Sequence, residues 1–334
     1  MCTIKNKQAQ VDSNGHLPPD QPAADHWQPS PPVTGAALLR VLLRAMRPKQ
    51  WLKNGLLFVA PAAALKLTDG GLLLKVVTAF IIFCLVSSAI YLINDLVDIE
   101  SDRRHPTKRN RPLASGKLRP LVAQVLAAVL LLLLVPAAFL LSLYFGAIIL
   151  AYITNAILYD FFFKKIVLID LFSLSAGFVL RVIGGALVIA VPISPWLYLC
   201  TLFAALFIGI NKRRHELVLL EGGAGKHRKI LDEYSPQLLD QMSSMVTSAL
   251  IISYSLYTWQ GDKVSKANNL MMATIPFALF VIFRYLYLIY QRDEGGAPED
   301  LLTRDRWLIA GGIAWLVVAG IILYFFRDTV IVLR

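Results

Sequence analysis

A run of acids, Asn94-Asp95-Leu96-Val97-Asp98-Ile99-Glu100-Ser101-Asp102, stands where a long apolar stretch ends, and Arg103, Arg104, Lys108, Arg109, Arg111 and Lys117 follow at once. On a helix, residues advance about 100° each. Asp95, Asp98 and Asp102 then share one stripe, with Asn94 beside it. Carboxylate oxygens suit Mg²⁺, which usually bridges to substrate phosphates, while guanidinium and ammonium groups bind phosphate oxygens directly. Together the two sets suit a polyphosphate carried with Mg²⁺. At a membrane edge, this points to an enzyme joining a diphosphate-activated substrate to a lipid-phase one. The plainer account is a solvated acidic helix end balanced by the next basic run. Carboxylates at a membrane edge are costly without a use, which favours the metal reading.

Four further groups of residues could join that chemistry. Lys108, Arg109 and Arg111 precede Ser115-Gly116, whose small side chains let backbone approach a ligand. Trp51 reads as an interfacial anchor, and Lys53 and Asn54 lie slightly deeper, where Lys53 either contacts substrate or snorkels to the interface. Tyr159 and Lys164 close another apolar stretch, and Asp170 and Arg181 lie inside the next. An intramembrane carboxylate is rare and usually functional. Arg181 has three readings: a partner for Asp170, a ligand for a lipid phosphate, or an organiser of helix packing beside Gly177, Gly184 and Gly185. Lys212-Arg213-Arg214 forms a second cluster of cations, with phosphate binding set against a plain topology signal.

The elements that must position these residues are apolar. Of 334 residues, 57% are hydrophobic and 16% charged, against about 45–50% and about 25% in soluble domains. The expected fold class is therefore an all-α polytopic membrane protein. The net charge of +11 sits between apolar stretches, the pattern of cytoplasmic loops rather than of nucleic-acid binding. Cys2, Cys84 and Cys200 are too scattered for a disulfide framework or a zinc site. Residues 1–34 are polar and proline-rich, and read as a disordered cytoplasmic tail. Residues 35–334 read as one transmembrane domain, opening with an amphipathic helix over 35–47. Spans of about 20 apolar residues are expected near 51–67, 74–95, 119–135, 137–158, 166–190, 196–211, 240–259, 270–290 and 307–326, with only Pro136 dividing the third from the fourth. Nine spans with a cytoplasmic N-terminus put nearly every basic loop on the cytoplasmic side, together with the active site. The expected location is an integral, multi-pass plasma or inner membrane.

These motifs resemble the UbiA-type intramembrane prenyltransferase superfamily, over roughly residues 40–325. The resemblance rests on nine spans, the N-D-x-x-D-x-x-x-D run between the second and third, and Tyr159 with Lys164 after the fourth. Arg47-Pro48-Lys49-Gln50-Trp51-Leu52-Lys53-Asn54, Gly177-Phe178-Val179-Leu180-Arg181, Lys212-Arg213-Arg214-His215-Glu216 and Tyr234-Ser235-Pro236 are similar to its decaprenyl-phosphate phosphoribosyltransferase branch. Most of the superfamily carries a second Asp-rich motif where this chain has Asn211-Lys212-Arg213-Arg214-His215-Glu216. That departure suits a donor with an extra phosphate.

The resemblance implies Mg²⁺-dependent transfer of 5-phosphoribose from phosphoribosyl pyrophosphate to a polyprenyl phosphate, with pyrophosphate released. Asn94, Asp95, Asp98 and Asp102 would hold the metal. Asp170 would join the catalytic set. Lys53, Asn54, Lys108, Arg109, Arg111, Tyr159, Lys164, Arg181, Lys212 and Arg213 would bind substrate. The alternative is a prenyl group passed from its diphosphate to an aromatic acceptor. A transporter of anionic solutes would be expected to show internal repeats, and none is evident. Oligomeric state is left open, so an oligomer is possible.

Overall fold

The structure, a computed structural model, describes residues 30–104, 108–221, 229–260, 268–292, 301 and 304–326. The expected tail therefore lies outside the described residues as far as residue 29. From Ser30 the chain runs along the 115–117 loop, where Ser30 N donates to Ser115 O (2.8 Å) and Val33 N to Lys117 O (3.1 Å).

The described residues form helices and no strand. They are α1 (Ala36–Ala45), α2 (Val59–Ala63), α3 (Gly70–Val97), α4 (Ile99–Arg104), α5 (Pro120–Leu141), α6 (Leu143–Phe161), α7 (Ile169–Leu187), α8 (Pro195–Glu221), α9 (Pro236–Gln260), α10 (Ile275–Arg292) and α11 (Arg306–Phe325). Side-chain caps fix several starts. Asp69 accepts from Gly71 N and Leu72 N to open α3, and Asp305 accepts from Leu308 N to open α11.

Seven described helices are long and apolar enough to cross a membrane. Two of the nine expected spans are not among these seven. The 51–67 stretch is a 3-10 helix, Pro48–Phe58, followed by the short α2. It is apolar enough to read as a span, but Pro48, Gly55 and Pro61 work against one continuous α-helix. The 240–259 stretch is α9, a 25-residue helix rich in hydroxyls. Ser244, Thr247, Ser248 and Ser255 each bond back to the carbonyl four residues earlier, which satisfies them inside the helix.

The boundary between the third and fourth spans also moves. Pro136 lies inside α5, and the break comes at Ser142 (φ −165°, ψ 132°). Ser142 caps α6 by accepting from Phe145 N at 3.4 Å. Proline is tolerated within membrane helices when neighbouring groups re-satisfy the freed carbonyl.

Helices α3 and α7 are the most enclosed of the seven, and α5 is the least. Leu121, Leu132 and Leu140 on α5 point outward, as a lipid-facing helix requires. The main core joins Leu57, Phe83, Val86, Phe145, Ile149, Val182 and Ala186. The 3-10 segment is wedged into this core between α3 and α7. A Cβ built on Gly185 would lie 1.8 Å from Leu57 O, so the two backbones touch.

Candidate functional site

Every polar cluster that could do chemistry is built from helix ends or from this wedge. The end of α3, the turn at Asp98, α4 and the 108–118 loop form the first. Asp98 caps α3 and α4 follows directly, with Asp98 N on Asn94 O (2.9 Å) and Asp102 N on Asp98 O (2.8 Å). The i to i+4 rhythm therefore passes through the turn, and the expected stripe survives it. Asp95 and Asp102 are buried at 2% and 3% exposure. Arg111 bridges them, with Nη1 at 3.2 Å from Asp95 Oδ1 and 2.5 Å from Asp102 Oδ2. Lys164 Nζ donates to Asp98 Oδ1 at 3.0 Å.

Two members of this cluster were not among the expected site residues. Arg47 donates to Asp95 Oδ1 across 48 residues. It occupies the left-handed region (φ 52°, ψ 60°) as the residue before the 3-10 helix. A non-glycine residue there is uncommon and costs strain, which tends to be stored where function needs it. Asp160, at the end of α6, accepts from Asn94 Nδ2 at 2.5 Å, and Lys164, Asp98 and Asp95 are among the charges acting on it. It is buried near the end of α6, which runs past the span end expected at 158.

The loop that carries Arg111 is fixed by its own backbone. Ser115 N bonds to Arg111 O and Leu118 N to Pro112 O, and Leu113 and Ala114 are buried. Gly116 takes φ +80°, a turn that favours glycine. The carbonyls of Ser115 and Lys117 are taken by residues 30 and 33, so this stretch of backbone serves the chain's own packing.

A second cluster joins α6, α7, α8 and the residue after the 229–233 turn. Asp170 is fully buried. Its Oδ2 accepts from Arg213 Nε at 2.9 Å and its Oδ1 from Tyr234 OH at 2.8 Å. Arg213 also donates to Glu216 Oε2 (2.7 Å) and to Tyr159 OH (3.3 Å). Tyr234 accepts in turn from Leu168 N at 2.8 Å. Burial, with the Asp170 carboxylate beside it, pushes the Tyr234 phenol up to about 12, so it stays a proton donor at neutral pH. Tyr234 and Glu216 thus join residues that sequence had placed in separate groups.

The third cluster is deeper. Arg181 does not meet Asp170. Its Nε donates to Asn54 Oδ1 (2.7 Å), Nη1 to Gly177 O (2.6 Å) and Nη2 to Tyr152 OH (3.1 Å). The guanidinium lies over the Phe83 and Tyr152 rings, at 5.1 and 4.9 Å from their centroids. Asn54 Nδ2 donates to Cys84 and Ser87. Of the three sequence readings for Arg181, this geometry serves packing: it pins the 3-10 wedge to α3 and α7. Lys53, Lys108, Arg109 and Lys212 each engage other groups of the protein.

The first cluster is the one suited to a divalent metal. Among the described residues, no three His, Cys, Asp or Glu side chains converge as a ready ligand set. Mg²⁺ needs no such cage, because it commonly takes one or two carboxylates and completes its shell with water and substrate phosphates. Asp95 Oδ2 is buried without a hydrogen-bond partner among the described residues. Such an orphaned anionic oxygen is expensive unless something cationic meets it. The donor set and this atom fit a hard divalent cation.

The described residues form a helical membrane bundle whose carboxylates and cations meet at helix ends, and relatives give its class. Residues 55–216 match the UbiA prenyltransferase family. A decaprenyl-phosphate phosphoribosyltransferase of Mycolicibacterium smegmatis is 34% identical over 86% of this chain and 94% of its own length. One from Corynebacterium glutamicum is 34% identical over 82% and 84%. In fold, the chain is similar to a UbiA homolog from Archaeoglobus fulgidus solved with DMAPP and Mg²⁺ (TM-score 0.65, 18% identity, 85% of this chain and 99% of that one). The chain belongs to the UbiA prenyltransferase family, and it is an integral membrane enzyme of that kind.

Proposed function

We propose that the protein transfers 5-phosphoribose from phosphoribosyl pyrophosphate to a polyprenyl phosphate and releases pyrophosphate. The observation that carries this reading is the first cluster, where Arg47, Arg111 and Lys164 interleave with Asp95, Asp98 and Asp102. Cations and carboxylates so mixed suit a substrate bearing several phosphates. The names of relatives similar over most of their length support a polyprenyl-phosphate acceptor and a phosphoribosyl group as what is transferred.

In this reading Asp95, Asp98 and Asp102, with Asn94 beside them, would supply the Mg²⁺ ligands, one or two carboxylates to an ion. Bound there, the metal supplies charge neutralisation for the diphosphate. Arg111 and Arg47 stand on Asp95 and stabilise the charge that grows on the departing pyrophosphate, joined by Lys108 and Arg109 from the same loop. The ribose anomeric carbon gains positive character as its bond to the diphosphate breaks. The lipid phosphate is already anionic, so it needs alignment rather than a strong base. Lys164, half-buried and at the rim, suits that task better than Arg181 or Arg213, whose guanidinium donors are held in buried contacts. Asp170 acts by holding Arg213, and through it Tyr159, in place. The cluster faces the cytoplasm, where a soluble phosphorylated sugar is available.

The test is product formation by purified enzyme in detergent with Mg²⁺, read by mass spectrometry of the lipid extract. Phosphoribosyl pyrophosphate with polyprenyl phosphate should give a phosphoribosylated lipid that disappears with EDTA. A prenyl diphosphate with 4-hydroxybenzoate should give nothing. Asp98→Asn should lower the first rate by on the order of a hundredfold. Full activity in that variant, or a prenylated aromatic from the wild type, would reverse the assignment.

A further inference from the structure

Ser30-Pro31-Pro32-Val33 runs along the loop that carries Arg111, and every backbone N–H it owns is spent on that loop. Ser30 N donates to Ser115 O at 2.8 Å and Val33 N to Lys117 O at 3.1 Å. Pro31 and Pro32 have no N–H to give, and their fixed φ favours an extended run between the two donors. The connection continues inward. Ser115 N bonds to Arg111 O, so Ser30, Ser115 and Arg111 form one relay of amide and carbonyl. The Arg111 side chain then reaches Asp95 and Asp102. Past Gly35 the same N-terminal stretch becomes α1, whose Leu38, Val41 and Leu42 pack against the cluster that includes Leu113 and Leu118 of the loop. It is tied to α3 where Ser88 Oγ donates to Met46 O at 2.9 Å, and it ends with Arg47 on Asp95. The stretch from residue 30 to 47 therefore grips the loop at its start and meets Asp95 at its end, while the loop returns to the same Asp95 through Arg111. From α4 the loop receives a long bond, Arg103 Nε to Ala114 O at 3.4 Å, outside the usual range of about 2.7–3.2 Å.

We infer that residues 30–33 are a positioning strap, which holds the 108–118 loop closed so that Arg111 already stands on the carboxylates when the donor arrives. The consequence for turnover rests on the proposed function, through the role given there to Arg111; the hold on the loop does not. A site that is competent for only part of the time binds more weakly by that fraction. Once donor is bound, its phosphates keep the loop in place. Loosening the strap therefore raises the donor KM and spares kcat. Loss of the Arg111 side chain itself would lower kcat as well, because it removes an interaction with the departing pyrophosphate.

The test uses the full-length enzyme in a non-ionic detergent. Ser30→Pro with Val33→Pro deletes the two N–H donors and keeps the segment extended. Ser30→Ala with Val33→Ala trims the same side chains and keeps both donors. Three readings are made: hydrogen exchange by mass spectrometry over residues 111–118, kcat and KM with phosphoribosyl pyrophosphate varied, and the unfolding midpoint. In the proline variant the Ser115 and Leu118 amides, which bond within the loop, should exchange on the order of tenfold faster. The donor KM should rise to a similar degree, with kcat and the unfolding midpoint close to wild type. The alanine variant should match wild type throughout. Unchanged exchange over 111–118 in the proline variant would overturn the strap, as would a fall in kcat at unchanged KM. Faster exchange spread over the whole chain with a lowered midpoint would also overturn it, as would an alanine variant as impaired as the proline one. A wild type that makes no phosphoribosylated lipid would defeat the proposed function. Faster exchange over 111–118 in the proline variant alone would still support the strap in that case.

Discussion

Replacing Asp170 with Ala should destabilise the fold far more than neutralising Glu216 of the same network. Both carboxylates bind Arg213, but their surroundings differ. The Asp170 side chain is 0% exposed and that of Arg213 is 3%, while Glu216 is 28% exposed. Removing one partner of a buried pair leaves the other charge uncompensated and costs about 3–5 kcal/mol. Here Glu216 still neutralises part of Arg213, so the low end, about 3 kcal/mol, is expected for Asp170→Ala. The Tyr234 hydroxyl also loses its acceptor. Glu216→Gln keeps the inner pair and removes a partly exposed contact, worth about 1 kcal/mol or less. Reversible unfolding in mixed micelles, with denaturing detergent as the variable, measures both. The double variant Asp170→Leu with Arg213→Met should recover most of the loss, because apolar packing commonly replaces a buried ion pair at little cost. Equal effects of Asp170→Ala and Glu216→Gln would refute the claim that burial makes Asp170 the anchor of this network.

Two further outcomes follow from packing and titration. Gly185→Ala places a Cβ 1.8 Å from a backbone oxygen that cannot swing away. It should cost about 3 kcal/mol or more, seen as lost yield of folded protein or as a shifted unfolding midpoint. Asp305 receives two hydrogen bonds from Arg284, at 3.1 and 2.7 Å, which hold its carboxyl below the ordinary range. A depressed folded pKa gives stability that is present above the unfolded value near 3.9 and lost as pH falls through the folded one. Asp305→Asn should therefore be less stable than wild type at neutral pH, with the gap closing below about pH 4. A gap that persists in acid would mean that the carboxyl's charge is not what holds the pair.

Much of the bundle was legible in the sequence because long apolar runs fix helices across a membrane with little ambiguity. Asp95, Asp98 and Asp102 shared a stripe as expected, since helical periodicity carried through the Asp98 turn. The 51–67 stretch was harder. Hydropathy measures burial, and the 3-10 wedge is buried among helices rather than formed as one long α-helix. Pro136 looked like the break because proline disfavours helix interiors, but Ser142 could cap the next helix and took that role. Contacts between distant residues were the least legible. Arg47 meets Asp95, Asn54 meets Arg181 and Tyr234 meets Asp170 across 48, 127 and 64 residues, and no local pattern encodes such pairings. Asp160 fell two residues past the expected 137–158 span, so the rule that singled out Asp170 inside its span missed it; the helix in fact runs on to Phe161.

Donor choice is where the account is most exposed. Purified wild-type enzyme with Mg²⁺ should be given phosphoribosyl pyrophosphate, a prenyl diphosphate, polyprenyl phosphate and 4-hydroxybenzoate together, and the lipid products quantified over time by mass spectrometry. The account predicts phosphoribosyl polyprenyl phosphate as the accumulating product, with pyrophosphate released in equal amount. Accumulation of a prenylated aromatic in its place would contradict it.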